Sequence, residues 1–324
     1  MHKLPTLLSA LNDFATRNPF PPTPKELYEP CEYMLSLGGK RLRPAMLLMG
    51  YNLFRDDLEQ ALPAAWAVEL FHNFTLMHDD IMDAAPLRRG KPTVHTRWNA
   101  NTGILSGDVM LIQAYRFLGA TDSAVATTLI HEFSVMATEV CEGQQMDMNF
   151  ETREQVSVEE YIRMIELKTA VLLGYALMAG AVCARAERPA PEKLYQVGRL
   201  AGIAFQIQDD LLDTYGDPAK FGKQVGGDIL QNKKTLLVLK TLEVASEPDR
   251  RELLQWMQAG AESPTQKVAA VRDIFDRNNI PALIKAAKKQ YQEKAFEYLD
   301  DVNVPEARKT VLLDTLADLL EREW

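Results

Sequence analysis

The sequence predicts an all-α protein, and three observations support this fold class. Apolar residues recur at spacings of three and four, as in Trp66-Ala67 followed by Leu70-Phe71, which is the spacing of a buried helix face. Strand signals are nearly absent, because there are no alternating β-branched runs and no Asn-Gly hairpin turn. Of the 324 residues, 47% are hydrophobic and 25% are charged, which is typical of a globular protein with a substantial core.

Four stretches rich in proline or glycine separate the predicted helical segments: 18–24, 85–93, 216–227 and 259–264. The first and second of these breaks enclose the apolar segment 66–77, and the second and third enclose a run at 170–184 and a helix at 200–214. No shift in composition marks a domain boundary. We therefore predict one domain over residues 1–324, a single large helical bundle.

The sequence shows no recognisable signal peptide or membrane span, so we expect a soluble cytoplasmic protein without stable membrane insertion. The longest nearly apolar run, 170–184, is short for a bilayer span, so we interpret it as a buried helix. The N-terminal residues lack the basic-then-apolar order of a signal peptide. The three cysteines are far apart and form no CxxC pair, which argues against a disulfide framework or a zinc site.

The net charge limits the possible ligands. With 36 basic and 45 acidic residues the formal charge is −9, which argues against general nucleic-acid binding. An anionic ligand would therefore need a local cluster of basic side chains.

The first chemical motif is HDDIMD at 78–83, which ends an apolar segment. Asp79 and Asp83 are four residues apart and share one helix face, with Asp80 beside them. Three carboxylates near a helix C-terminus repel one another and oppose the helix dipole, so bound cations would stabilise them. Oxygen ligands suit Mg²⁺, which also binds substrate phosphates. On this motif alone, a solvated acidic helix end remains an alternative.

A second motif, QIQDDLLD at 206–213, lies in the helix predicted at 200–214. Asp209 and Asp213 again lie one turn apart, with Asp210 beside them, and a Gly/Pro-rich break follows. Two such motifs, each followed by basic residues, favour a shared function over coincidence. If the two helices face each other, their carboxylates would surround a cluster of divalent cations.

Basic clusters accompany both acidic motifs. The segment GGKRLRP at 38–44 places three cations beside a glycine pair, which allows the backbone to approach an anion closely. RRGK at 88–91 follows the first acidic motif, and Lys220, Lys223, Lys233 and Lys234 follow the second. Each cluster alone could be an exposed charge patch, but together they favour a diphosphate held between metal ions and cations.

These segments resemble the trans-isoprenyl diphosphate synthases, or polyprenyl synthetases, over about residues 27–235. The resemblance rests on GGKRLRP, HDDIMD, RRG, EGQQMD, KTA, FQIQDD and GDPAKFGKQVGGDILQNKKT. It implies the isoprenoid synthase type I fold, a helical bundle around a deep central cavity, and a homodimer. It also implies Mg²⁺-dependent condensation of isopentenyl diphosphate with an allylic diphosphate of C5 to C15.

The resemblance implies a role for each matching residue. Metal binding, with three Mg²⁺ ions per site, falls to Asp79, Asp80, Asp83, Asp209, Asp210 and Asp213. Contacts to the allylic diphosphate fall to Arg88, Lys168, Lys223 and Lys233, and contacts to isopentenyl diphosphate to Lys40, Arg43, His72 and Arg89. The developing carbocation is faced by Thr169, Gln206 and the Lys168 carbonyl, with Gln144 and Asp147 on the cavity wall.

Product length is expected to depend on Phe74 and Thr75. Phe74 lies five residues before Asp79, about 7.5 Å along the helix, where a bulky ring would stop a growing chain. An aromatic residue there resembles short-chain synthases. Thr75 stands where farnesyl synthases commonly carry a second aromatic, which favours a C20 product, geranylgeranyl diphosphate, over C15 farnesyl diphosphate. Ordinary core packing of Phe74 is the alternative.

Three rival functions remain at this stage. A class I terpene cyclase shares the bundle and the first acidic motif but carries no GGKRLRP segment. A non-catalytic subunit of a heteromeric synthase usually loses one acidic motif, whereas this chain has both. A metal phosphohydrolase using His78 and Asp79 would need more histidine ligands than the five in the chain provide.

Overall fold

The computed structural model describes residues 2–216, 226–258 and 263–321, most of which lie in helices. The α-helices are α1 (Leu4–Arg17), α2 (Lys25–Ser36), α3 (Leu42–Asn52), α4 (Leu62–Met82), α5 (Val94–Arg97), α6 (Ala100–Gly119), α7 (Ser123–Thr152), α8 (Val158–Ile165), α9 (Val171–Cys183), α10 (Ala190–Tyr215), α11 (Gly227–Leu230), α12 (Leu236–Val244), α13 (Glu247–Gln258), α14 (Pro264–Arg277), α15 (Ile280–Asp300) and α16 (Glu306–Glu321). A π-helix, Glu166–Ala170, joins α8 to α9. The all-α prediction is confirmed.

The predicted break at 85–93 contains a short antiparallel hairpin, which the sequence patterns did not reveal. Its strands are β1 (Leu87–Arg88) and β2 (Lys91–Pro92), with Leu87 paired to Pro92 and Arg88 to Lys91. Arg89 and Gly90 form the turn at φ 52° and 75°. Positive φ at both central residues is the geometry that closes a two-residue hairpin.

Several helices begin where the sequence supplies a capping side chain. Asn99 precedes α6 and accepts a hydrogen bond from the Thr102 backbone N–H at 2.9 Å. Ser157 and Glu160 form a reciprocal capping box at the start of α8, with bonds of 3.1 and 2.9 Å. These bonds satisfy N–H groups that have no partner within the helix.

The chain forms two compact units. The first comprises Met1–Ser134, Tyr175–Tyr195 and Val302–Leu312, and the second comprises Val135–Gly174, Gln196–Asp301 and Leu313–Trp324. The expectation of a single domain over residues 1–324 stays a prediction.

In the first unit, two glycines allow α6 to pack closely on the C-terminal half of α4. A Cβ on Gly107 would lie 2.3 Å from His78 Nε2, and a Cβ on Gly103 would lie 2.9 Å from Ile81 Cδ1. Neither separation is possible for a real side chain without a shift. The small residues of α6 therefore fix it against the part of α4 that carries the first aspartate-rich motif.

In the second unit, α10 forms part of a core with Ile203, Ile207 and Leu211 among its buried residues. A Cβ on Gly202 would come within 2.6 Å of the Ala170 Cα atom. Close packing at this glycine therefore holds the helix of the second motif against the π-helix.

The stretch Val158–Cys183 is long and apolar enough to cross a membrane, with a mean hydropathy of 1.5 in its most apolar window. However, 72% of that window is buried within the protein. Burial of this kind is typical of the core helix of a soluble protein. The predicted buried helix at 170–184 is confirmed as α9, from Val171 to Cys183.

Candidate active site

The first aspartate-rich motif lies at the C-terminal end of α4, as predicted. The helix ends at Met82, and the Asp83 backbone N–H donates to the Asp79 carbonyl oxygen at 2.9 Å. Asp80 is 2% exposed, whereas Asp79 is half-buried and Asp83 is exposed. The two outer carboxylates are therefore the accessible ones, and the middle one is part of the protein interior.

Arg88 of the hairpin engages the buried Asp80 through several bonds. Its Nε donates to both Asp80 carboxylate oxygens at 2.9 Å, and its Nη2 lies 2.8 Å from Oδ1. The same Nη2 is 3.7 Å from Asp79 Oδ2. Charge-assisted bonds of this type are short and directional. They tie the residues after α4 back to its acidic end.

A cationic pocket formed by Arg43, His72 and Arg89 lies near this motif in the first unit. Arg43 Nη1 is 3.1 Å from His72 Nε2. The Arg89 guanidinium packs on Gly39, where a Cβ would come within 2.7 Å of Nη2, and the exposed Lys40 follows directly. Burial, and then Arg43 and Arg89, lower the pKa of His72 well below 6.5. A neutral His72 can therefore accept the bond from Arg43.

Glu69 is a buried carboxylate beside this pocket that the sequence motifs did not predict. It is 6% exposed, and its Oε1 accepts a bond from Asn73 Nδ2 at 3.1 Å and lies 3.9 Å from Arg41 Nε. Its Oε2 has no hydrogen-bond partner within the described part of the chain. Burial raises the pKa of Glu69, and Arg41, Asn73, Arg43 and Arg89 oppose that rise. The sequence feature that could have identified it is a single glutamate in an apolar helix, three residues before His72.

Phe74 is half-buried and packs against two other aromatic rings of α4. Its ring centroid lies 5.6 Å from that of Phe71 and 4.7 Å from that of His78. Phe71 in turn packs edge-on against Phe133 at 5.0 Å. The Thr75 hydroxyl donates to the His72 carbonyl at 2.8 Å. These contacts are compatible both with core packing and with a block to chain growth.

The second aspartate-rich motif lies near the C-terminal end of α10, as predicted. Asp210 is 4% exposed and accepts bonds from the Tyr161 hydroxyl at 2.6 Å and the Leu236 backbone N–H at 3.2 Å. Burial raises the pKa of Asp210 to about 7 against these donors. Asp213 Oδ2 accepts from the Asp228 backbone N–H at 3.0 Å. Asp209 and Asp213 are half-buried.

Lys168 and Thr169 lie on the π-helix, in the same unit as the second motif. Lys168 Nζ donates to Asp147 Oδ2 at 2.5 Å, and Thr169 Oγ1 lies 3.5 Å from Gln206 Oε1. A Cβ on Gly143 of α7 would lie 2.2 Å from the Lys168 backbone nitrogen. The EGQQMD segment, which also contains the half-buried Gln144, therefore packs against the π-helix backbone.

The lysines after the second motif differ in their surroundings. Lys233 is largely exposed, and its Nζ lies 3.5 Å from Asp228 Oδ1. Lys234 donates to the Phe150 carbonyl at 2.7 Å. Lys220 and Lys223, which the sequence also singles out, lie outside the described residues. Lys233 is thus the more accessible of the two described lysines.

The oxygen donors at both motifs fit Mg²⁺. Arg88 holds both oxygens of Asp80, so Asp79 and Asp83 are the first-motif carboxylates available to a metal. Within residues 2–216, 226–258 and 263–321, no three carboxylate, imidazole or thiol groups converge into a complete site. Carboxylate oxygens suit Mg²⁺, which also keeps water and substrate phosphate oxygens in its coordination sphere.

An all-helical protein with acidic helix ends and adjacent cations has the features of a metal-dependent enzyme that acts on diphosphates. Residues 24–274 match the polyprenyl synthetase family. The geranylgeranyl diphosphate synthase of Methanosarcina mazei is 38% identical over 304 residues, covering 93% of this chain and 91% of the relative. The (2E,6E)-farnesyl diphosphate synthase of Mycobacterium bovis is 33% identical over 288 residues, covering 88% and 80%.

A solved structure supports the same assignment. A crystal structure of a geranylgeranyl pyrophosphate synthase superposes with a TM-score of 0.96 at 43% identity and covers 100% of both chains. The chain belongs to the polyprenyl synthetase family and is a prenyltransferase of isoprenoid biosynthesis. Dependence on Mg²⁺ is a general property of this family.

Proposed function

We propose that this prenyltransferase joins isopentenyl diphosphate to an allylic diphosphate of C5 to C15 and releases geranylgeranyl or farnesyl diphosphate. The names of the relatives support C20 or C15 products, and they do not support a terpene cyclase or a non-catalytic subunit. The observation that carries the proposal is the cationic pocket of Arg43, His72 and Arg89. It offers a diphosphate site in addition to the acidic metal motif.

In this proposal the outer carboxylates of the first motif, Asp79 and Asp83, would hold two Mg²⁺ ions, and Asp209 and Asp213 would help to hold a third. These residues would thereby place a Lewis acid against the departing diphosphate, and this metal would stabilise its negative charge when bound. The accessibility of these outer carboxylates supports the assignment. Asp80 and Asp210 have a structural role in this proposal, since both already accept hydrogen bonds from protein donors.

The two substrates divide the basic residues and His72 between them. Contacts to the allylic diphosphate come from Arg88, Lys168, Lys233 and Lys223. Contacts to isopentenyl diphosphate come from Lys40, Arg43, His72 and Arg89. The neutral state of His72 supports this division, because an uncharged imidazole can donate one hydrogen bond while accepting another.

The proposed chemistry needs no protein base. The allylic C–O bond breaks and the diphosphate leaves with the electron pair, which creates an allylic cation. The isopentenyl double bond attacks this carbon, and a proton then passes to the released diphosphate. Thr169, Gln206 and the Lys168 carbonyl face the developing positive charge, and Gln144 lies on the cavity wall. Apolar surroundings protect the cation from water.

A cytoplasmic homodimer is the proposed state of the protein. Helix α6 exposes Ile104, Leu105 and Ile112 by 45%, 58% and 58%. Apolar side chains exposed along one helix support an interface with a second copy. Light scattering on the purified protein tests this assignment, and a monomer at micromolar concentration would contradict it.

The reaction is tested by incubating the purified protein with Mg²⁺, isopentenyl diphosphate and each allylic primer, followed by chromatography of the products. Asp79→Ala and Asp209→Ala should reduce kcat by orders of magnitude with folding intact, because each removes an outer metal ligand. Asp13→Ala, on the exposed face of α1, is the matched control. Near-normal rates in either test variant would overturn the metal assignment, and cyclic hydrocarbon products would favour a cyclase.

A further inference from the structure

The second unit contains a cavity of about 1030 Å³ that the proposed reaction does not use. Its walls come from α10, α14, α15 and the end of α16. The α10 wall consists of Gln208, Leu211, Leu212 and Tyr215, whose spacing places them on one helix face. The volume is in the range of small-molecule binding sites.

This cavity lies on a different side of α10 from the outer aspartates of the second motif. At 3.6 residues per turn, each residue turns the helix by about 100°, so Asp209 and Asp213 lie about 130° around the helix from the cavity face. One helix therefore presents a metal-binding face and a separate cavity face. A ligand in the cavity would not occupy the proposed magnesium site.

Three cations of the cavity wall form no salt bridge with any residue that the structure describes. Lys288 Nζ donates to Gln208 Oε1 and to one backbone carbonyl, each at 2.9 Å, and both acceptors are neutral. The Arg272 guanidinium stacks over the Tyr215 ring at 4.9 Å. Neither Arg272 nor Lys285 forms an ion pair with any residue the structure describes. Three positive charges therefore face the cavity without a salt bridge to a carboxylate of the described residues.

The acidic residues of the cavity do not cancel these charges. Asp276 accepts a hydrogen bond from the Tyr215 hydroxyl at 2.8 Å. Glu293 lies 3.5 Å from Lys289, the fourth cation of the wall. Burial lowers the pKa of Lys288, Glu321 opposes this effect, and the neighbouring Lys285 adds to it. An anion could therefore bind between Arg272, Lys285 and Lys288.

We propose that this cavity binds an amphiphilic organophosphate. The phosphate groups would bind Arg272, Lys285 and Lys288, and the hydrocarbon tail would lie along Leu212 and Phe296, which also line the cavity. Two sources share this chemistry, a prenyl diphosphate and a single-chain phospholipid. Both have a negatively charged phosphate group for the cations of the wall and a hydrocarbon chain for its apolar side chains.

Equilibrium dialysis with radiolabelled geranylgeranyl diphosphate in EDTA tests the proposal, since chelation removes metal-dependent binding. The full-length protein should bind the ligand, and inorganic diphosphate or geranylgeraniol should bind at least about tenfold more weakly. Lys285→Glu should weaken binding by about tenfold or more. Lys294→Glu makes the same charge change at an exposed position of α15 outside the cavity and should leave the affinity unchanged.

Two further variants identify the site, and circular dichroism confirms that each is folded. Arg89→Gln, in the cationic pocket of the first unit, should retain binding in EDTA. Phe296→Gln should remove the preference for the prenyl compound over inorganic diphosphate. Lysophosphatidic acid that binds more tightly than geranylgeranyl diphosphate would identify a phospholipid as the natural source. Absence of binding by wild type, or equal affinities of Lys285→Glu and Lys294→Glu, would overturn the proposal whether or not the synthase reaction is confirmed.

Discussion

Replacing Arg88 by glutamine should destabilise the protein much more than the same change at its neighbour Arg89. Arg88 binds the buried Asp80 through contacts of 2.8 to 2.9 Å. Arg89 forms no ion pair with a described residue and packs on Gly39. The two variants remove the same charge one residue apart, so they isolate the contribution of the Asp80 contact.

The expected magnitude follows from the burial of the pair. Removing one partner of a fully buried ion pair costs about 3–5 kcal/mol, because a desolvated charge remains. Asp80 is 2% exposed, but the Arg88 side chain is 22% exposed, so water partly reaches the guanidinium. We therefore expect Arg88→Gln to lower the free energy of unfolding by about 2–4 kcal/mol. Arg89→Gln should lower it by less than about 1 kcal/mol.

Urea denaturation in EDTA, without diphosphate, measures both values free of ligand effects. The double variant Arg88→Gln with Asp80→Asn supplies the remaining control, since it replaces the ion pair by two neutral amides. Its loss in free energy of unfolding should be about 1–3 kcal/mol smaller than the sum of the losses in the two single variants. Equal losses for Arg88→Gln and Arg89→Gln, or strict additivity in the double variant, would refute the reasoning.

Three further predictions follow from the site. The folded state holds His72 neutral and the unfolded chain protonates it below about 6.5, so wild type should lose about 1.4 kcal/mol more stability than His72→Gln between pH 7.5 and 5.5, measured by urea denaturation. Gly143→Ala should lower stability by about 2 kcal/mol or more and reduce kcat, because its Cβ would lie 2.2 Å from the Lys168 nitrogen. Gly119→Ala, whose Cβ would meet nothing within 4 Å, is its control, and equal effects would contradict the argument. Phe74→Ala should lengthen the product, and an unchanged chromatogram would exclude this ring as the block to growth.

The sequence predicts the all-α fold and the helical position of both acidic motifs because these features depend on local periodicity. Apolar spacing alone identifies the helix at 66–77, and the proline-containing break after Asp83 fixes where α4 ends. The buried helix at 170–184 is predicted for the same reason. Each of these inferences uses residues within a few turns of one another.

The contacts that organise the site could not be predicted, because they join residues far apart in the chain. Tyr161 and Asp210 are 49 positions apart, and only the packing of α8 near α10 brings the hydroxyl to the carboxylate. The π-helix at 166–170 has no periodic signal in the sequence, since five residues are too few to show one. Glu69 is a single charged residue in an apolar helix, and Arg41 and Arg89, which act on its pKa, come from other parts of the chain.

The burial of the middle aspartate in both motifs indicates a division of roles within each one. Asp80 and Asp210 are 2% and 4% exposed, and each accepts bonds from two or more protein donor groups. The first and last aspartates of each motif are four residues apart, so they share another face of the helix, and they are more exposed than the middle one. Repulsion between three adjacent carboxylates would otherwise destabilise a helix C-terminus. Protein donors hold the middle carboxylate of each motif in the interior, and the outer two are more exposed, which favours two metal-binding carboxylates per motif over three.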